Sequence, residues 1–326
     1  MVLLTPLIRR LAERYGTPVD VVSSGPWTKP LLAGQPGVGE IHLLQSRRRP
    51  YWLGPDQWAV VRALRRQGAR PTWFMDTGGV GRHLLTRAGI GDEWIVDADA
   101  FPRLPGEHIL TRFDRIAAQL PRAVGGGREP SPTALGAELT VSESAREDLL
   151  AWLAARGLAQ SPLLLVQAGN KRTMRRGDRR RTSNTKYWPE ERWAAVIDRL
   201  ADRFPDHSIL LLGVPSESAL NDDILAGVRS QRAVNVASDL PIPRLAALME
   251  RADAMVTVDT GPAHVGAAVG LPMLVLFGTV EPSLYRPWGA AGSAVRCLSA
   301  HPAGPLEGLA VGTVLDALAE LPLRPR

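Results

Sequence analysis

The sequence predicts an α/β chain of two Rossmann-like domains facing a cleft. In both halves, short apolar runs of strand length alternate with longer runs of helical periodicity, the pattern that pairs strands in parallel through helical crossovers. The chain has 326 residues, 45% of them hydrophobic and 22% charged, which is long for one core and adequate for two. Pro121 to Leu139 carries Gly125-Gly-Gly127 and three prolines, a composition that reads as a linker rather than a regular element. The expected domains are residues 1–140 and 141–326.

The N-terminal half opens on an amphipathic helix, Leu3 to Tyr15, with Leu3, Leu4, Leu7, Ile8 and Leu11 on one face. A strand normally precedes such a helix, so the first strand of this half is apparently missing. Val19 to Val22 and Val38 to Leu44 read as strands, Trp58 to Gln67 as a helix stopped by Gly68, Pro71 to Met75 as a strand and Gly81 to Ala88 as a helix. Trp94 to Val96 and Glu107 to Leu120 complete the half as strand and helix. Gly78-Gly-Val-Gly81 is a turn, because Leu84 stands where a dinucleotide fingerprint needs its third glycine, and no Walker-type Gly-Lys loop occurs.

The C-terminal half begins with a helix over Ser142 to Arg156, with Ser144-x-x-Glu147 as its capping box and Gly157 as its stop. Leu163 to Gln167 is a strand, Glu190 to Phe204 a helix, Ser208 to Leu212 a strand, and Asn221 to Val228 and Pro243 to Arg251 are helices. Two β-rich runs, Ala254 to Val258 and Met273 to Phe277, then flank a segment of small residues suited to a short crossover helix. Gly304 to Leu321 reads as the closing helix.

The chemistry is expected where the first of those runs ends. Asp259 and Thr260 close the strand, Gly261 permits the turn, and Pro262 suits a first helical position because its missing N–H has no partner there anyway. A helix start at the carboxyl end of a parallel strand is where open α/β sheets bind phosphates, and His264 lies about one turn inside. On these residues alone, a simple strand–turn–helix with a surface histidine fits as well. Lys186, before the helix start at Pro189, reads on local sequence alone as a solvated lysine, with a point charge for an anion as the alternative. Glu217 is equally a first-turn acid or a bidentate acceptor.

Composition narrows the partners. The formal net charge of +6 favours anions such as nucleotides, phosphorylated glycolipid or an acidic membrane surface. The basic clusters Arg47-Arg-Arg49 and Lys171 to Arg181 come without a helix-turn-helix, zinc-finger or aromatic RNA-binding pattern, so nucleic acid is not an expected partner. The Lys171 to Arg181 insertion reads as a solvated loop, as a clamp on an anionic donor or acceptor, or as a grip on the membrane surface. No apolar run reaches the roughly 20 residues of a membrane span, and no leader is recognised, which points to the cytoplasm. Cys297 is the only cysteine and is expected to be a buried small apolar residue. No paired metal-ligand spacing is evident.

Asp259-Thr-Gly-Pro-Ala-His264, followed by an alanine-rich helix, Gly270-Leu-Pro272 and an apolar strand ending in Phe277-Gly278, resembles the donor-site signature of glycosyltransferase family 9. That is the family of the ADP-heptose:lipopolysaccharide heptosyltransferases. The run Lys186-Tyr-Trp-Pro189 is similar to the family's Lys-x-Trp-Pro, and the resemblance is strongest from Leu163 to Gly289. It implies a GT-B type fold with the donor in the C-terminal domain and the acceptor on the N-terminal side. The implied reaction is inverting, metal-independent transfer of a sugar, heptose from ADP-heptose, to a lipopolysaccharide core or related surface glycan. No cofactor is implied beyond the nucleotide sugar, and peripheral contact with the cytoplasmic face of the inner membrane is.

Residue by residue, the resemblance places Lys186 on the donor phosphates with the Thr185 hydroxyl beside it, and Glu217 on the ribose. Thr260, Gly261 and His264 surround the diphosphate, Asp259 orients the sugar or the turn, Met249 lies near the nucleoside, and Asn170 joins this donor-binding set. Val2-Leu-Leu-Thr-Pro-Leu-Ile-Arg-Arg10 matches the family's opening helix, so the Gly-Asp turn bearing the family's proposed catalytic base falls before Met1. The expectation is a start upstream of Met1; the alternative is a non-catalytic nucleotide-sugar-binding homologue. No catalytic residue is named.

Overall fold

The computed structural model of the chain describes residues 1–45, 51–125, 135–173, 184–290, 292 and 294–324. Arg47 to Arg49 and all of the basic insertion beyond Thr173 lie outside the described residues. The chain separates into two compact units, Leu3–Leu135 and Gly136–Arg326, with Val2 grouped with the second. The second unit starts ahead of residue 141 because Ala137 is already part of it, forming a parallel bridge with Gly289.

The first unit runs α1 (Thr5–Tyr15), β1 (Val19–Ser23), α2 (Thr28–Leu32), β2 (Val38–Leu43), α3 (Pro55–Gln67), β3 (Thr72–Phe74), α4 (Arg82–Ala88), β4 (Ile95–Asp97) and α5 (Ile109–Ala117). Its strands form two separate parallel pairs, β1 with β2 and β3 with β4, where one sheet was expected. Val60 and Val61 of α3, Phe74 of β3 and Leu84 and Leu85 of α4 share one apolar cluster. Helix α1 is held to α5 by arginines: Arg10 bonds Asp114, and the buried Arg14 donates to the carbonyls of Ala117 at 2.7 Å and Gln119 at 3.2 Å. Those carbonyls lie at a helix C-terminus, which has no intrahelical donors left for them. Helix α5 is accordingly shorter than the periodicity of Glu107 to Leu120 suggests.

The second unit runs α6 (Glu143–Ala154), β5 (Leu163–Gln167), α7 (Glu190–Arg203), β6 (Ser208–Leu211), α8 (Ser218–Leu225), β7 (Ala233–Asn235), α9 (Ile242–Arg251), β8 (Ala254–Val258), α10 (Gly261–Ala268), β9 (Met273–Phe277), α11 (Pro282–Tyr285), β10 (Val295–Ser299) and α12 (Val311–Leu318). All six strands join one parallel sheet in the order β10-β9-β8-β5-β6-β7. The chain therefore winds outward from β5 through β6 to β7, then returns beside β5 and winds the other way. Strands β5, β8 and β9 are buried at every position, as in a parallel sheet covered by helices on both faces. The mainly apolar runs of Leu, Val, Met, Ala and Phe that compose them follow from that burial. Trp193, Ala194, Val196, Ile197, Leu200 and Ala201 of α7 are buried at helical spacing, and Trp193 meets Trp188 edge-on with ring centroids 5.3 Å apart.

Four local expectations need correction. Helix α6 is capped by Ser142, whose hydroxyl accepts from Ala145 N at 3.3 Å, and not by Ser144, which is already helical. The closing helix occupies only Val311–Leu318, after a single 3₁₀ turn at Leu306–Gly308. Strands β7 and β10 carry too weak a pattern to be read in advance, because both are sheet edges with incompletely buried residues. Cys297 sits on the edge strand β10 and is only half-buried. Burial still pushes its thiol up to about 11, with a smaller rise from Asp259 opposed by Arg286.

Candidate functional site

The order of the second sheet fixes where a site is built. The crossover after β5 runs toward β6 on one side and the crossover after β8 runs toward β9 on the other, so the loops after β5 and β8 diverge at their carboxyl ends. That divergence is the crevice in which doubly wound folds bind ligands. The segments that leave it are Ala168 to Thr173 after β5 and Asp259 to Gly261 after β8.

After β8, Asp259 N still bonds Leu276 O at 3.1 Å, so the strand carries its carboxylate to the rim. Thr260 takes the N-cap position in extended conformation (φ −145°, ψ 171°), but its side chain does not cap α10, and Pro262 sits at the second helical position. The first amides of α10 therefore have neither an intrahelical nor a side-chain acceptor from the cap residue. Gly261 is exposed at this start, and His264 lies half-buried in the first turn of α10. Small residues let α10 press onto the sheet: a Cβ at Gly266 would come within 2.9 Å of the Met273 side chain.

Lys186 reaches the same turn from a distant segment. Its ammonium donates to the Asp259 carboxylate at 2.6 Å and to the Asp259 carbonyl at 2.7 Å, with Asp259 only 8% exposed. The backbone that carries Lys186 is wedged in place. Thr185 O accepts from Leu306 N at 2.9 Å and lies so close to Gly278 that a Cβ there would come within 2.1 Å of it. Trp188 is buried beside it and donates through Nε1 to Leu309 O at 3.0 Å. Thr185 thus contributes its carbonyl to a packing contact.

Glu217 closes the side toward β6. It is 3% exposed and accepts from Thr173 Oγ1 at 2.9 Å and from Val214 N at 3.1 Å. Burial raises its pKa above the ordinary glutamate value, and hydrogen bonds from Thr173, Val214 and Gln167 oppose the rise. Its closeness to the loop after β5 requires glycine: a Cβ on Gly169 would come within 2.3 Å of the carboxylate. Asn170, also buried, bonds Thr173 through its backbone N at 2.7 Å and sends its side-chain amide toward Lys186 O at 3.5 Å. Glu217, Thr173, Asn170, Lys186 and Asp259 therefore form one continuous polar chain along the rim.

The structure thus brings Asn170, Lys186, Glu217, Asp259, Thr260 and Gly261 to one edge of the sheet, with His264 one turn away. Met249 is not among them: its side chain is 0% exposed in the packing of α9 and offers no surface to a ligand. Three participants escaped the sequence reading. Thr173 was hidden in a run of basic residues, although an Asn three residues before a Thr just after a strand signals a side-chain-closed turn. Gly278 directly follows strand β9 and Gly169 lies two residues after β5, places where close backbone approach calls for glycine.

Chemically, this edge offers a cation and uncapped amides on one side and a buried carboxylate on the other. The first pair suits an anion and the second a neutral hydroxyl donor. Among the described residues, no three His, Cys, Asp or Glu side chains gather as a metal site, and no helix is long and apolar enough to cross a membrane.

Comparison with known proteins gives matches in sequence and in fold. The sequence profile of glycosyltransferase family 9 (heptosyltransferase) matches residues 178–305. Lipopolysaccharide heptosyltransferase 3 of Escherichia coli is 32% identical over 105 residues, a match that spans 32% of this chain and 30% of that relative's length. Lipopolysaccharide heptosyltransferase 2 of Salmonella typhimurium is 22% identical across 92% of this chain and 86% of its own. The solved structure of the E. coli ADP-heptose lipopolysaccharide heptosyltransferase II superposes with a TM-score of 0.72 at 20% identity, covering 98% of this chain and 94% of that one, so the two share a fold. The segment from 178 to 305, which holds Lys186, Glu217 and the turn from Asp259 to His264, is thus the part of the chain that is similar to glycosyltransferase family 9.

Proposed function

We propose that the chain is a glycosyltransferase whose second unit binds a nucleotide-sugar donor, ADP-heptose or a close analogue, and that the sugar passes with inversion to a lipopolysaccharide core or related glycan. The observation that carries this reading is the Lys186 ammonium at the uncapped start of α10, beside the β5/β8 divergence. As a glycosidic bond to a nucleoside diphosphate breaks, negative charge builds on the leaving phosphate. A fixed cation and oriented amides aimed at that phosphate stabilise the transition state more than the ground state. Glu217, on the other side of the divergence, accepts the ribose hydroxyls, and Asn170 ties the two ends together.

Calorimetric titration with ADP and ADP-heptose tests the donor reading: binding to the wild type, weakened by Lys186→Ala and Glu217→Ala, is the expected result. No binding of either ligand overturns it. Binding without transfer to a lipopolysaccharide acceptor supports the non-catalytic homologue instead.

A peripheral membrane contact belongs to the same proposal. In the first unit, Trp52 is 70% and Trp58 42% exposed, and Trp58, Arg62 and Arg66 follow one another along one exposed face of α3. Neither Arg62 nor Arg66 has an ion pair among the described residues. Aromatic rings at interfacial depth with unpaired guanidinium groups beside them match an anionic lipid surface. Co-sedimentation with vesicles containing phosphatidylglycerol, lost in a Trp52→Ser/Trp58→Ser variant and absent with phosphatidylcholine alone, is expected; equal binding to both vesicle types overturns it.

A further inference from the structure

We propose that Thr173 stands in for a ligand hydroxyl: in the ligand-free protein its side chain occupies the Glu217 carboxylate, and a ribose diol reaches that carboxylate only by displacing it. The inference rests on the donor reading above and adds to it a residue that sets nucleotide affinity.

The geometry supports displacement rather than sharing. Glu217 is almost wholly enclosed, with one oxygen taken by the Val214 amide at 3.1 Å, the other by the Thr173 hydroxyl at 2.9 Å, and a further hydrogen bond from the Gln167 side chain, which is fixed in strand β5. The Val214 bond is part of the backbone turn that opens the 3₁₀ segment Pro215–Glu217, so it stays with the fold. On the opposite side, Gly169 leaves no room, since even a methyl group there would meet the carboxylate. The Thr173 hydroxyl is the one side-chain donor bonded to Glu217 that sits on a loop after a strand, and a loop can move at lower cost than the sheet.

Thr173 also has somewhere else to place its proton. Its hydroxyl lies 2.6 Å from the Asn170 carbonyl and 2.9 Å from Glu217, and one proton cannot serve both. When a diol arrives, the hydroxyl turns to Asn170 O and the carboxylate is released without leaving a donor unpaired. The carboxylate gains two donors in place of one. No cation is bonded to Glu217 among the described residues, which makes neutral hydroxyl donors its natural partners. Burial disfavours the ionised form of Glu217, and each hydroxyl donated to the carboxylate offsets part of that cost.

Thr173→Val keeps the shape and removes the hydroxyl, Thr173→Ser keeps the hydroxyl, and both are titrated calorimetrically with ADP and with 2′,3′-dideoxy-ADP at pH 8. T173V is expected to bind ADP about fivefold more tightly, the equivalent of one hydrogen bond no longer broken on binding. T173S should match the wild type, and dideoxy-ADP, which does not contest the carboxylate, should bind all three proteins alike. Should T173V not fold, T173A removes the same hydroxyl and carries the same expectation.

ADP binding that is unchanged or weakened in T173V, or a change shared by both nucleotides, overturns the stand-in role and leaves the donor reading intact. ADP binding by none of the proteins overturns the donor reading and this inference with it. ADP binding by T173V but not by the wild type supports both.

Discussion

Replacing Lys186 by methionine should do two kinds of damage, and they can be separated. The ammonium lies 2.6 Å from the Asp259 carboxylate and 2.7 Å from its carbonyl. Removing it deletes one charge-assisted bond to a bound diphosphate, worth about 1.5–3 kcal/mol. It also leaves a largely buried carboxylate facing the incoming anion. At a separation of about 6 Å and an effective dielectric of about 20, one such charge pair repels by roughly 3 kcal/mol. One third of the Lys186 side chain is exposed, so solvent takes back part of both effects. A net loss of about 3 kcal/mol, or roughly 150-fold in ADP affinity, is expected.

Lys186→Met/Asp259→Asn removes the repulsion as well and should recover about tenfold of that loss, so the two changes are non-additive in the manner of contacting residues. Calorimetric titration at low and at high salt measures both, with the gap between wild type and K186M narrowing as salt screens the charges. K186M binding ADP within threefold of the wild type, or a double variant no better than K186M, refutes the placement of the phosphates at this turn.

The remaining predictions concern neighbouring parts of the same unit. Glu217 has a raised pKa through burial, so between the ordinary glutamate value and the raised one the folded state holds more protons than the unfolded state. Stability should therefore fall as pH rises through that window and level off above it, and Glu217→Gln should flatten the slope in urea melts run from pH 4.5 upward; an unchanged slope counts against the burial argument. Gly278→Ala forces a Cβ to within 2.1 Å of Thr185 O, a backbone atom that cannot rotate away. It should lower stability by about 1–3 kcal/mol and weaken ADP binding by shifting Lys186, whereas a wild-type urea midpoint with wild-type affinity excludes the wedge. Cys297, with its thiol pushed up from 9.0 to about 11, should be alkylated by iodoacetamide at pH 8 roughly 100-fold more slowly than an unperturbed thiol, and a rate typical of free cysteine refutes that burial.

Much of the second unit is legible from sequence because its central strands are buried on both faces. Leu163 to Gln167, Ala254 to Val258 and Met273 to Phe277 match their observed bounds residue for residue, since a short, predominantly apolar run suits a covered sheet. The edge strands β7 and β10 lack that signal. In the first unit, the four strands read correctly but the short helix α2 between β1 and β2 does not, and two parallel pairs do not follow from periodicity, which carries no information on pairing partners.

The site is legible in part for a similar reason. Asp259 to Gly261 is a local turn with local chemistry, whereas the bond from Thr173 to Glu217 joins residues 44 positions apart and leaves no mark in either segment. Met249 shows the opposite failure. Its place on a helix before the signature says nothing of which way it faces, and the apolar packing of α9 claims it.

The strand order of the second unit has a kinetic consequence. β5 must pair with β8, as in Leu164 with Ala254, only after the whole excursion through β6 and β7 has been made, and Lys186 meets Asp259 across 73 positions of chain. Contacts of such high sequence separation cost loop entropy before they give anything back, so they form slowly and late. Recovery of nucleotide binding during refolding should consequently lag behind the return of helical signal, which makes a fluorescent ADP analogue a clock for the last step in closing this sheet.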